Sequence, residues 1–129
     1  MSAPSSGLLR VPFVRRCSLR LDDGRRGSFF LVNINVMGAY VARDDLTASG
    51  DGQNAVMPHP GDRVVLQFAV PGREGEIEIG CLVSWQNTRQ QHPVHSLPPG
   101  IGVRFVDLTA ETGRVIEHLV RDYVARRTR

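Results

Sequence analysis

The stretch Phe29-Phe30-Leu31-Val32-Asn33-Ile34-Asn35-Val36-Met37-Gly38-Ala39-Tyr40-Val41 alternates two sets of side chains. Phe30, Val32, Ile34 and Val36 fall on one face, and Phe29, Leu31, Asn33 and Asn35 on the other. A period of two predicts a β-strand with one face buried. The two amides, Asn33 and Asn35, then project from the same face. Gly38 lies just beyond, where the chain is expected to bend or to let something approach its backbone.

Outward from this stretch the same period recurs. Arg10 to Leu21 reads as a first strand, with Phe13, Cys17, Leu19 and Leu21 on one parity that only Arg15 breaks. Asp22-Asp23-Gly24 is a hairpin signal between that strand and the one that starts at Ser28. Ala39 to Ala42 forms a third strand. Residues 43–61, with three glycines and two prolines, read as a surface loop. Pro60-Gly61-Asp62 opens a strand in which Val64, Leu66, Phe68 and Val70 alternate with Val65, Gln67 and Ala69. After the turn Pro71-Gly72-Arg73-Glu74-Gly75, Ile77, Ile79, Cys81, Val83 and Trp85 share one parity, which predicts Trp85 in the core. A second loop runs from Gln86 to Pro99, and Gly100 to Phe105 is the last strand.

The period then changes. Val115, Ile116, Leu119, Val120, Tyr123 and Val124 make one stripe of an amphipathic helix, with Thr109 as its N-cap and Glu111 in its first turn. Six strands and one C-terminal helix, which would cover an open side, describe a mainly β, antiparallel barrel.

Composition narrows the function classes. The chain has 129 residues, enough for one domain, and 22% charged residues, ordinary for a globular protein. No apolar run approaches the roughly 18 residues of a membrane span. Met1 to Gly7 has no apolar core of a signal peptide, so a cytoplasmic protein without membrane insertion is the expectation. Cys17 and Cys81 sit in strand alternation without a CxxC, as reduced, buried residues. All 16 basic residues are arginine, whose planar fork suits guanine edges and phosphates, although wholesale loss of lysine also follows from a GC-rich genome. A net charge of +3 does not by itself argue for nucleic acid, and no strand interleaves exposed aromatics of the kind that stack bases. His92 and His95 lack a neighbouring cysteine or carboxylate to complete a metal shell, so no metal site is expected. No nucleophile or phosphate-loop motif is present, and no catalytic residue is assigned.

Asn33-x-Asn35-x-x-Gly38, running from strand to glycine corner to strand, resembles the [Asp/Asn]-x-Ser-x-x-Gly motif of PilZ domains. Pro60-Gly61-Asp62-Arg63-Val64, Val70-Pro71-Gly72, Gly80-x-x-Val83-x-Trp85 and Gly100-Ile101-Gly102-Val103-Arg104-Phe105 before a helix resemble that family in order and spacing. The resemblance implies a six-stranded antiparallel PilZ-type barrel over residues 10–127, with residues 1–9 as a flexible N-terminal arm. It also implies cyclic di-GMP as the candidate ligand, with no other cofactor.

Family members that bind the nucleotide carry Arg-x-x-x-Arg on the arm, some twenty residues before the second motif. Arg10-Val11-Pro12 fits the slot of the second arginine, 23 residues before Asn33, and Ser6 stands where the first would be. Arg16-x-x-x-Arg20 has the literal spacing but lies within the first strand. Asn35 stands where the family usually has serine. The resemblance therefore implies Arg10, Asn33, Asn35 and Gly38 as ligand-binding residues, with Arg15 or Arg16 as candidates to stand in for the absent arginine. Two readings follow: a stand-alone adaptor that binds cyclic di-GMP and relays it to a protein partner, or a degenerate PilZ domain that acts as a protein–protein module, for instance in motility or pilus function.

Overall fold

A computed structural model of the chain describes residues 10–43, 58–87 and 99–127. The expected arm, Ser6, and the loop with His92 and His95 lie outside the described residues. Six strands are present: β1 (Val11–Leu21), β2 (Arg26–Ile34), β3 (Gly38–Arg43), β4 (Arg63–Ala69), β5 (Glu76–Asn87) and β6 (Gly100–Asp107). One helix, α1 (Ala110–Arg127), follows them. All pairings are antiparallel, in the order β1-β2-β3-β6-β5-β4, and β1 closes on β4 from Cys17↔Phe68 to Leu21↔Val64. The barrel therefore has no open side for the helix to cover. Closure follows from the length of β1, whose 11 residues pair with β2 along one edge and with β4 along the other.

Side-chain alternation fills the interior. Cys17 and Leu19, Val64, Leu66 and Phe68, and Ile77, Ile79, Cys81 and Val83 form one buried cluster with Ile101 and Val103. At roughly 25 cal/mol per Å² of apolar surface, this burial is the main term holding the barrel closed. The stripe of α1 adds Ile116 and Val120 to the same cluster, with Val115, Leu119, Tyr123 and Val124 packed against it. Thr109 caps the helix as expected, since its Oγ1 accepts from the Thr112 amide at 3.1 Å. Glu111, in the first turn, takes Arg73 of the β4–β5 turn at 2.9 Å, which sets the helix beside that turn.

Four register shifts interrupt the pairing, one of them at Val106 of β6, and the other three decide what faces outward near the β2–β3 corner. In β2, Leu31 pairs with Val41 but Asn33 with Tyr40, so Val32 is an extra residue. Phe29 and Leu31 point inward before it, and Ile34, of the opposite parity, points inward after it. In β1 an extra residue lies between Pro12 and Arg15, beside the exposed Val14. In β5, Val83 pairs with Val103 but Trp85 with Gly102, so Ser84 is inserted. Trp85 is thereby turned out of the interior. The expectation of a core tryptophan is corrected: its parity is reset by one residue that alternation alone does not reveal.

Candidate functional site

The β2–β3 connection is built by Asn35. Its Oδ1 accepts from the amides of Met37 at 2.8 Å and Gly38 at 3.0 Å, and its own amide donates to the Gly38 carbonyl at 2.9 Å. This is the local side-chain mimicry of a turn for which asparagine is suited. Asn35 is 3% exposed. Gly38 is needed because β6 passes directly behind it: a Cβ there would overlap the Val103 carbonyl oxygen. The close approach expected at Gly38 is thus made by the barrel's own backbone.

Asn33 sits on the outer face, between Pro12 on β1 and Tyr40 on β3. The outward direction follows from its neighbours, because Val11, Ile34, Ala39 and Val41 all belong to the interior cluster. The Oδ1 of Asn33 is buried and has no hydrogen-bond partner among the described residues. An orphaned buried acceptor carries the full cost of its lost hydration, so it marks a place where a donor is wanted.

Arg10 immediately precedes Val11, which pairs with Ile34, so the register sets Arg10 alongside Asn35. Its guanidinium is half-buried, and that burial lowers its pKa from the ordinary arginine value. Among the described residues no carboxylate pairs with it. The register therefore gathers Arg10, Asn33, Asn35 and Gly38 at one corner of the barrel.

Arg15 and Arg16 lie farther along β1. The Arg15 guanidinium is 4.5 Å from the centre of the Phe13 ring, and its Nη1 donates to the Ala69 carbonyl at 2.9 Å. Arg16 lies on the outer face, 5.1 Å over the Phe30 ring and 3.5 Å from the Ser28 hydroxyl. Arg15 thus braces an edge of the barrel, whereas Arg16 faces solvent on the strand pair that leads to Asn33.

The same outer row continues beyond Asn33. Tyr40 pairs with Gly102, and Gly102 with Trp85, so Pro12, Asn33, Tyr40, Gly102 and Trp85 cross five adjacent strands. The Tyr40 and Trp85 rings are 5.3 Å apart and tilted by 30°. The Tyr40 hydroxyl accepts from Asn87 Nδ2 at 3.2 Å. Burial raises the Tyr40 pKa above its ordinary value, and the Asn87 bond opposes this. Sequence reasoning missed this aromatic wall beside Asn33. Only the Ser84 bulge, invisible to alternation, creates it.

Among the described residues no three His, Cys, Asp or Glu side chains cluster as metal ligands would. No helix among them is long and apolar enough to cross a membrane.

The family model described as PilZ domain matches residues 9–122. No curated protein matches the chain. Among solved structures, the chain is similar to the Bacillus subtilis inhibitor of motility MotI/DgrA, with a TM-score of 0.69 and 14% identity over 94% of this chain and 52% of that one. It is also similar to Escherichia coli YcgR in complex with c-di-GMP, with a TM-score of 0.63 and 13% identity over 93% of this chain and 46% of that one. The isolated PilZ domain of YcgR with c-di-GMP gives a TM-score of 0.62 and 13% identity over 93% of both chains. The chain thus spans about half the length of MotI and of full YcgR. At these identities the likeness is one of fold.

Proposed function

Since the chain belongs to the PilZ domain family, we propose that it is a cytoplasmic adaptor that takes up cyclic di-GMP at the corner of Arg10, Asn33, Asn35 and Gly38 and passes the signal to a protein partner. The observation that carries this reading is the buried Oδ1 of Asn33, which has no hydrogen-bond partner among the described residues, at the corner to which the register brings Arg10, whose guanidinium meets no carboxylate among the described residues. Guanine offers donors on its Watson–Crick edge, which suit a lone acceptor. An arginine meets either the O6/N7 edge of guanine or a phosphate with two parallel donors. YcgR, a fold neighbour, is itself seen with c-di-GMP.

In this reading the domain performs no bond chemistry. Its output is a change of surface, made when residues N-terminal to Arg10 fold over the bound nucleotide. Asn33 supplies the acceptor, Arg10 the charged fork, and Asn35 with Gly38 the rigid turn that holds Asn33 in register. The second reading, a PilZ domain that engages a protein partner without the nucleotide, is favoured by Ser6 in the arm and by the occupation of Asn35 Oδ1 in closing its own turn.

Calorimetric titration with cyclic di-GMP separates the two, with GTP and cyclic di-AMP as controls. Saturable heat for cyclic di-GMP that is lost in Asn33→Ala supports the adaptor reading. No heat from a protein that melts cooperatively overturns it in favour of the second.

A further inference from the structure

The apolar stripe of α1 is wider than the face that the barrel covers. Ile116 and Val120, at its centre, are 0% and 5% exposed. Val115 and Leu119, one turn apart, lie about 100° round the helix from them and are only partly buried. This flank faces the β4–β5 turn. With Val70 and Pro71 it floors a groove of about 380 Å³, within the range of roughly 300–1,000 Å³ in which proteins hold bound molecules.

A second row runs beside the apolar one. Arg114 and His118 repeat the four-residue spacing one position earlier and line the rim of the groove. Neither side chain makes an ion pair or hydrogen bond among the described residues. Glu111 is the only acid among the described residues that line the groove. Arg73 binds it at 2.9 Å and holds its carboxyl below the ordinary carboxylate range, and the charge of Arg114 adds to this. One carboxylate thus faces two guanidiniums, and the rim keeps a net positive charge.

We propose that this groove docks an acidic amphipathic helix of a protein partner. Leucines four apart on such a helix advance about 6 Å, the rise from Val115 to Leu119. Glutamates on the adjoining row advance in step with Arg114 and His118, and their carboxylates accept from the guanidinium fork and the imidazole N–H. The apolar floor separates this occupant from others that a basic rim attracts. A nucleic acid would find no aromatic ring in the groove on which to stack a base. A bilayer is flat and takes up protruding apolar side chains, whereas Val70, at the bottom of the groove, is 7% exposed. A second copy of the chain offers no matching helix among the described residues. Glu117 and Asp122 of α1 are already paired, with Arg121 at 3.6 Å and Arg126 at 3.0 Å. The groove supplies the partner side of the adaptor reading and rests on that reading only for the existence of a partner. Binding is tested without nucleotide, so the two fail separately.

The probe is a fluorescein-labelled, alanine-based helical peptide with leucines four apart and glutamates four apart on the adjoining row. Its anisotropy is followed at low ionic strength, where exposed charges are least screened. It should bind saturably, and replacing its leucines by serine or its glutamates by lysine should each weaken it at least about tenfold. Arg114→Glu should cost the protein a similar factor, whereas Arg26→Glu, an equal change of charge on the β1–β2 hairpin, should bind as wild type. Cooperative melting of both variants establishes that they are folded. No binding by the wild-type protein, equal losses in the two variants, or unchanged affinity of the serine peptide would each overturn the proposal. Vesicles of phosphatidylglycerol and phosphatidylcholine that take up the wild-type protein but not Arg114→Glu would instead give the face to an anionic lipid surface.

Discussion

The indole of Trp85 fills the space over Gly102 that any other residue would use for its Cβ. A glycine on β6 and a one-residue bulge on β5 together let the ring lie flat on the outside of the barrel, against Tyr40. Tyr40 in turn pairs with Asn33, the acceptor of the candidate site. This gives the site a rigid aromatic flank and provides a reporter.

Trp85 is the single tryptophan of the chain, so its emission is unambiguous. Saturation with cyclic di-GMP should shift or quench that emission through the Tyr40–Asn33 contact. Asn33→Ala should weaken the nucleotide by roughly tenfold, the scale of one or two net hydrogen bonds, and move the emission titration in step. A calorimetric binding event that leaves Trp85 emission unchanged would place the nucleotide elsewhere.

The arm motif gives a gain-of-function test. Ser6→Arg should raise cyclic di-GMP affinity about tenfold or more by restoring a charge-assisted fork, and Arg10→Ala should remove binding. Arg20→Ala should leave nucleotide binding unchanged, because Arg20 faces Arg26 at the other end of β1. Should Arg20→Ala prove as damaging as Arg10→Ala, Arg16-x-x-x-Arg20 is the working motif.

Gly38→Ala should destabilise the domain by about 1–3 kcal/mol, because the added methyl must displace the backbone of β6 at Val103. Met37→Ala, one residue away at the exposed tip of the same turn, should stay within about 0.5 kcal/mol. Urea titrations of the two variants make the comparison. Equal effects would mean that the turn, rather than the β6 contact, sets the requirement at Gly38.

Val83 is 1% exposed and pairs with Val103 in the interior. Val83→Asp leaves an unpaired charge there, at a cost of roughly 3 kcal/mol or more against a typical total stability of about 5–15 kcal/mol. The variant should be insoluble or lack a cooperative melt by circular dichroism.

Cys17 and Cys81 are both buried, and burial pushes each thiol from 9.0 up to about 12. The folded state therefore favours the protonated thiols. Their contribution to stability is complete below about pH 9 and is lost as pH rises toward about 12. At pH 8 an aromatic disulfide reagent should label neither cysteine in the native protein and both in urea. Rapid native labelling would contradict the interior placement.

By itself the sequence determined the architecture to a large degree. Period-two runs at Val64–Val70 and Ile77–Val83, turn glycines at Gly24 and Gly72, and the helical stripe from Val115 to Val124 are local signals, and each became the element they imply. Their local character is why they are readable: side-chain direction within a strand or helix depends on near neighbours alone. What only the tertiary structure decided is where alternation breaks and what closes the sheet. The extra residues Val32 and Ser84 leave no compositional mark, yet they turn Ile34 inward and Trp85 outward. Closure of β1 on β4 joins residues far apart in the chain, and no local pattern specifies that partner. The asparagines of the motif show the same division. Both were legible as polar residues at a strand end, but packing alone made one the brace of its own turn and left the other an acceptor without a donor.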